Sequence, residues 1–327
     1  MMNSITDIAG IRVGNADDAA LASGVTVILF DEPAVASVDL RGGGTGTRDV
    51  ALLDPVGTVE RIDGIALSGG SAFGIDSASG ISAWLAEQGR GFPVGSARVP
   101  IVPGAILFDL LSGGDKNWGR YSPYRELGHR AAANASLSFS LGTSGAGFGA
   151  TTQNLKGGLG SASARTADGI TVGALVAVNA CGRATAGDGP HFLAAPFEQG
   201  KEFGGLGSAP AGTLHALAFK GDVGQNTTIA VVATDAILTK TQAQRVAVMA
   251  SAGLAMALHP VFSPLDGDVV FAAATGKTKL ADPVFALAKI GALAAQCLAR
   301  AVARGVYEAT ALPHAGAMLS WRDRFGN

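Results

Sequence analysis

The sequence predicts an α/β fold built as a layered sandwich, and three observations carry that prediction. Short β-branched or apolar runs bounded by Gly, Asp or Asn read as central strands covered on both faces: ITVGALVAVN (170–179), TLHALAFK (213–220), TIAVVATDA (228–236) and DVVFAAAT (268–275). Alanine-rich segments at 239–259 and 282–305 are apolar around much of their circumference, as expected of helices buried against a sheet or a partner subunit. Strands and helices both abound, but they do not alternate as strict βαβ units, which disfavours a doubly wound sheet.

In chain order, GGGTGT (42–47), GGSAFG (69–74) and GGLG (157–160) read as tight turns; the 47 glycines are spread along the chain and mark no strong domain boundary. AFGIDSASGISAWLAEQG (72–89) carries an apolar stripe at helical spacing. The span 182–211, rich in Gly, Pro and Ala, is the best linker candidate, and a loop of that length in a compact domain is expected to be functional or mobile. The last helix has Asp282 as its N-cap and Pro283 at its first position, and Gly305 is expected to stop it.

Composition excludes several function classes. With 48% hydrophobic and only 15% charged residues, the chain can bury a large core and has little charged surface, so it is expected to oligomerise. A net charge of −2 with no Lys/Arg block argues against nucleic acid and anionic membrane as partners. Cys181 and Cys297 are too few and too far apart for a disulfide framework or a zinc knuckle. MMNSITDIAG lacks the charged start and apolar h-region of an export signal, and no apolar run approaches a bilayer span; the expected location is cytoplasmic.

Familiar catalytic templates fail. Ser71 sits among glycines, but Phe73 stands where a nucleophile elbow needs glycine. GGGTGTRD offers Gly44 and Gly46 but Asp49 in place of the third dinucleotide-binding glycine, and no P-loop is present. Histidines 129, 191, 215, 259 and 314 show no metal-binding spacing, so neither a metal nor a redox cofactor is expected.

Hydrolysis without histidine remains. In GDVGQNTTIAVVATDA (221–236) a glycine-rich segment meets a rigid strand at Asn226-Thr227-Thr228. An N-terminal threonine can be a nucleophile whose own α-amine, with a pKa of about 7.7–8.0, serves as the base. The chain would have to expose that amine by cutting itself in front of Thr227. On local sequence alone, an ordinary turn-to-strand junction is the simpler reading.

The wider pattern shifts that balance. GNADDAALASGVTVILFDEP, VDLRGGGTGTRD, IALSGGSAFGIDSASGISAWL, VPIVPGAILFDL, VGALVAVNACG, NTTIAVVATDAILTK and DGDVVFAAATG together resemble one family of self-processing hydrolases, nearly end to end. That family contains the L-aminopeptidase D-Ala-esterase/amidase, the β-peptidyl aminopeptidases and the nylon-oligomer (6-aminohexanoate-oligomer) hydrolases. The resemblance implies a four-layer αββα sandwich like other N-terminal-nucleophile hydrolases. It also implies one domain, 1–327, cut into a large chain 1–226 and a small chain 227–327, assembled as tetramers or higher oligomers of the pairs.

Carried over residue by residue, the cut falls between Asn226 and Thr227, with Thr227 as nucleophile. Asp266 and Asp268 of DGDVVF match the acidic pair of the nylon-oligomer hydrolases; two apart in an extended strand, they would share a face and could both approach the Thr227 ammonium. Asn179 matches the asparagine whose amide helps hold the oxyanion or the nucleophile. Lys156 matches the lysine near the nucleophile. Phe108 stands where relatives have tyrosine, so any contact through that hydroxyl is absent. Asn-Thr at the scissile bond and Asp-Gly-Asp in the second site point to the nylon-oligomer endo-hydrolase branch. An aminopeptidase for small, D- or β-amino N-terminal residues is the alternative within the family; an acyltransferase of the ornithine acetyltransferase type and an unprocessed scaffold are alternatives outside it.

Overall fold

The computed structural model describes residues 2–213, 217–220 and 226–326. Two parts of the sequence reading therefore lie partly or wholly outside the described residues: 214–216 of the expected strand at 213–220, and the glycine-rich 221–225 in front of Asn226. The strands are β1 (Ile11–Asp18), β2 (Ser23–Leu40), β3 (Gly46–Arg48), β4 (Arg61–Ser68), β5 (Phe92–Val94), β6 (Ala97–Val99), β7 (Gly104–Ile106), β8 (Gly158–Arg165), β9 (Thr171–Asn179), β10 (Thr227–Ala236) and β11 (Val269–Thr278). The α-helices are α1 (Ser77–Glu87), α2 (Tyr124–Ala133), α3 (Lys240–Ala250), α4 (Ala252–Ala257), α5 (Pro283–Tyr307) and α6 (Trp321–Phe325).

The main sheet runs β3-β7-β4-β2-β11-β10-β9-β8, with β1 also paired to β2. Its layering comes from the length of β2. Residues 23–30 of β2 pair antiparallel with β1 and residues 35–40 pair with β11, with an irregularity against β4 between Leu29 and Ala34. The strand thus belongs to two halves of the sheet, and inward residues of both halves meet in one core: Ile28, Phe30, Ile65 and Leu67 from one, Leu175, Ile229, Val231 and Phe271 from the other. Because side chains alternate along a strand, the remaining positions face outward. Val176, Val232, Val270 and Ala272 pack under α3, α4 and α5, while Val25, Val27 and Leu29 pack under α1 and α2. The order is helix, sheet, sheet, helix, as the resemblance implied.

Helix capping follows the sequence closely. Asp282 accepts from the N–H groups of Val284 and Phe285, with Pro283 at the first turn. Thr239 and Gln242 form a capping box at the start of α3. Gly305, however, does not end α5, which continues to Tyr307. Its missing side chain serves packing instead, since a Cβ there would meet Gly158 O and Gly160 N at 3.0 Å. The same contact explains why 157–160, read as a turn, opens strand β8: a Cβ on Gly160 would lie 1.9 Å from Ala301 O, so glycine lets α5 lie directly on the strand.

Two other expectations change. Residues 217–220 form no strand; their backbone tie is Lys220 N–H to Cys181 O at 2.9 Å, because β8 and β10 already occupy both edges of β9. The 182–211 span is no linker. It is pinned by buried Phe192 and Phe203, with Phe192 stacked on Trp321 at 5.9 Å between centroids. Among the described residues, α5 alone is long and apolar enough to cross a bilayer, and it is packed against the sheet, with Ile290, Leu298, Val302 and Val306 fully buried.

Candidate active site

The site forms where β10 begins. Thr227 pairs across the antiparallel ladder with Asn179, the last residue of β9, while β10 runs parallel to β11 on its other side. Asn226, the residue before β10, bridges in parallel to Asp266 in the turn before β11. Gly42–Gly44 close the site from beyond β2: Gly42 N–H donates to Asp268 O at 3.1 Å and Gly44 N–H to Asp266 O at 2.9 Å. A Cβ on Gly42 would sit 2.1 Å from the Asp268 nitrogen, so only glycine permits this approach.

Thr227 is buried, and its Oγ1 donates to the carbonyl oxygen of Asn226, the residue before it. Gly267 N–H donates to that same oxygen at 3.0 Å. Sequence reasoning passed over Gly267, whose contribution is a backbone N–H that no side-chain pattern reveals.

Asp266 and Asp268 are both buried beside Thr227, but in the turn before β11 rather than in an extended strand, and their carboxylates diverge. Asp268 accepts from Thr228 N–H at 2.8 Å and from Phe262 N–H at 3.0 Å. Asp266 accepts from Cys181 N–H at 3.0 Å and Ser263 Oγ at 2.9 Å. Burial, reinforced by the Asp266 charge, raises Asp268 to about 7, and burial raises Asp266 as well. Burial thus disfavours the charged form of both carboxyls, and the Asp266 charge adds to that at Asp268.

Asn179 is fully buried; its Nδ2 donates to Phe108 O at 2.9 Å and its Oδ1 accepts from Thr151 N–H at 3.0 Å. Phe108 thus contributes its carbonyl where a side-chain hydroxyl was missed. Lys156 is also brought to the site, but not onto the nucleophile. Its Nζ donates to Gly147 O at 3.0 Å, Ala150 O at 2.7 Å and Gly157 O at 2.8 Å, and burial lowers its pKa to about 7. A second lysine, Lys220, was not singled out in the sequence because it ends an apolar run. Its Nζ donates to Asn179 Oδ1 at 2.8 Å and Thr151 O at 3.0 Å, and burial lowers it too to about 7. Lys156, Lys220, Thr151 and Phe108 line an adjoining cleft of about 200 Å³ together with Leu312 and His314.

The profile of Peptidase family S58 matches residues 3–318. The chain belongs to Peptidase family S58. As a member it is a peptidase, a hydrolase of amide bonds. A protein of Mycobacterium tuberculosis named an uncharacterized aminopeptidase is 42% identical over 348 residues, covering 99% of this chain and 98% of its own. A 6-aminohexanoate-oligomer endohydrolase of Kocuria sp. is more distant, 26% identical over 286 residues, with 84% of this chain and 75% of its own covered. Among solved structures, a Burkholderia sp. β-aminopeptidase superimposes with a TM-score of 0.72 at 22% identity, covering 100% of this chain and 92% of its own. The L-aminopeptidase D-Ala-esterase/amidase of Ochrobactrum anthropi, described as a variant of the Ntn-hydrolase fold, gives 0.72 at 20% identity, covering 98% and 91%. The family S58 chain described here shares that Ntn-hydrolase fold.

Proposed function

We propose that this chain is an amide hydrolase that cuts itself between Asn226 and Thr227 and then uses Thr227 as an N-terminal nucleophile. One observation carries the reading: Thr227 Oγ1 lies against the carbonyl of Asn226, and Gly267 N–H already grips that carbonyl's oxygen at 3.0 Å. Nucleophile and oxyanion donor are two of the parts that acyl transfer requires. In maturation, Thr227 Oγ attacks the Asn226 carbonyl carbon, the Asn226–Thr227 C–N bond breaks, and the hydroxyl proton passes to the freed nitrogen. Water then cleaves the ester, leaving 1–226 with a carboxylate and 227–327 with a free amine. In turnover that amine takes the hydroxyl proton, Thr227 forms an acyl-enzyme, the leaving amine is protonated, and water releases the acid. Asp266 and Asp268 supply the negative charge that favours the ammonium, and the Asn179 amide supports the oxyanion.

For the substrate we favour a linear amide cut internally, of the 6-aminohexanoate-oligomer type. An aminopeptidase must pair a free substrate ammonium with an acid, and a buried unpaired partner would be costly. The described residues lining the cleft include Lys156, Lys220 and His314 and no carboxylate. The aminopeptidase reading is supported by the 42% identical relative's name and keeps its place as the alternative.

Intact-mass measurement tests the chemistry: fragments ending at Asn226 and starting at Thr227 are expected, and Thr227→Ala is expected to stay whole. Equal cutting of Thr227→Ala would sink the mechanism. Acylated and free-amine forms of one oligomer test the substrate; activity confined to the free amine would leave the aminopeptidase in its place.

A further inference from the structure

Lys220 is a half-buried lysine whose amine is turned inward and which the reaction described above does not use. A lysine ordinarily keeps its ammonium in water and buries only its stem. Here the ammonium has protein acceptors, Asn179 Oδ1 at 2.8 Å and Thr151 O at 3.0 Å. The backbone of the same residue makes two further ties. Its N–H donates to Cys181 O at 2.9 Å, and its carbonyl accepts from Asn226 Nδ2 at 3.0 Å. Cys181 N–H in turn donates to Asp266. One residue thus touches the amide assigned to the oxyanion and the residue whose carbonyl is attacked, and reaches the acidic pair through one intermediary.

We propose that Lys220 is a positioning residue for self-cleavage, holding Asn179 and Asn226 in register around the scissile carbonyl. The inference rests on the reading of Thr227 as nucleophile. A cation on Oδ1 fixes which end of the Asn179 amide faces which way, since the oxygen must point to the ammonium and the NH₂ to Phe108 O. It also polarises the amide and strengthens its N–H groups as donors. The bond to Asn226 Nδ2 limits the freedom of the side chain next to the scissile bond, so the carbonyl stays under Gly267 N–H.

Time courses of fragment appearance by intact mass, on full-length wild type, Lys220→Met and Lys220→Arg, test this, with melting temperatures as the check on folding. Lys220→Met is expected to slow cutting about tenfold or more, the loss of one charge-assisted hydrogen bond. Lys220→Arg, which keeps a cation able to reach Asn179 Oδ1, is expected to recover most of the rate. If Lys220→Met does not fold, Lys220→Gln takes its place with the same expected slowing. Cutting at the wild-type rate without the cation overturns the proposal and leaves Thr227 as nucleophile. Equal slowing in the Arg variant also overturns it, reducing Lys220 to a packing residue. A wild type that never cuts removes both readings.

Discussion

Replacing Gly267 by alanine is expected to stall self-cleavage in a protein that still folds. The added Cβ would lie 2.5 Å from Gly44 O and 2.8 Å from Thr227 Oγ1, contacts that real side chains do not make. Gly44 cannot simply withdraw, because its N–H is bonded to Asp266 O at 2.9 Å in the same turn. Relief therefore requires the turn to move by roughly half an ångström, which stretches the Gly267 N–H bond to Asn226 O from 3.0 Å toward the limit of a hydrogen bond. Loss of one oxyanion donor costs about 10² to 10³ in rate. Overpacking of this kind costs about 1–3 kcal/mol of stability, which a folded domain tolerates. The assay is the half-time of fragment appearance by intact mass, with a thermal melt as control. A Gly267→Ala protein that matures at the wild-type rate would refute the assignment of Gly267 N–H as the donor.

Three further outcomes are expected. Burial and Asp266 raise Asp268 to about 7, above the ~3.9 of an unfolded aspartate, so the native state binds the extra proton between those values. That stabilisation is full below about 4 and lost as pH rises through about 7; Asp268→Asn should flatten the fall in melting temperature between pH 5 and 7.5, and an unchanged slope would exclude Asp268 as its source. Gly160→Ala places a Cβ 1.9 Å from Ala301 O and should lower stability by about 2 kcal/mol or more in denaturant titration, whereas a neutral result would mean that α5 can lift from β8. Lys156→Met removes a donor from three carbonyl oxygens, of which Gly147 O and Ala150 O keep backbone N–H partners, and should lower stability by about 1–3 kcal/mol in denaturant titration; unaltered stability would show that the lost bonds are replaced.

The central strands were legible because their residues are apolar on both faces, as Val172 to Val178 of β9 and Ile229 to Val232 of β10 are, and burial on both sides needs that composition. The cap of α5 at Asp282 was legible because capping is local chemistry. Strand β8 was not, since GLGSASAR offers small residues whose reason is a helix that packs over a hundred residues later in the chain. The same limit applies to the site. Thr227, Asn179, Asp266 and Asp268 could be named from motifs, and the fold does gather them. Gly267 and Lys220 could not, because one offers only a backbone N–H and the other sits in a segment resembling a strand. The direction in which Asp266 and Asp268 point was also hidden, being set by Cys181, Ser263, Phe262 and Thr228.

The place of β10 and β11 within the sheet has a consequence for the pieces after a cut at 226/227. β10 is paired to β9 and β11 to β2, so the segment that begins at Thr227 is zipped into the middle of the sheet with the earlier chain on both flanks. Neither piece could depart without opening two ladders and exposing the faces under α3 and α5. Nicking would therefore leave the molecule's shape unchanged but alter the order of its unfolding reaction. One chain melts independently of how much of it is present; two interleaved chains melt to separate species, so the transition of the nicked form would climb with dilution reversed, rising as the protein is concentrated.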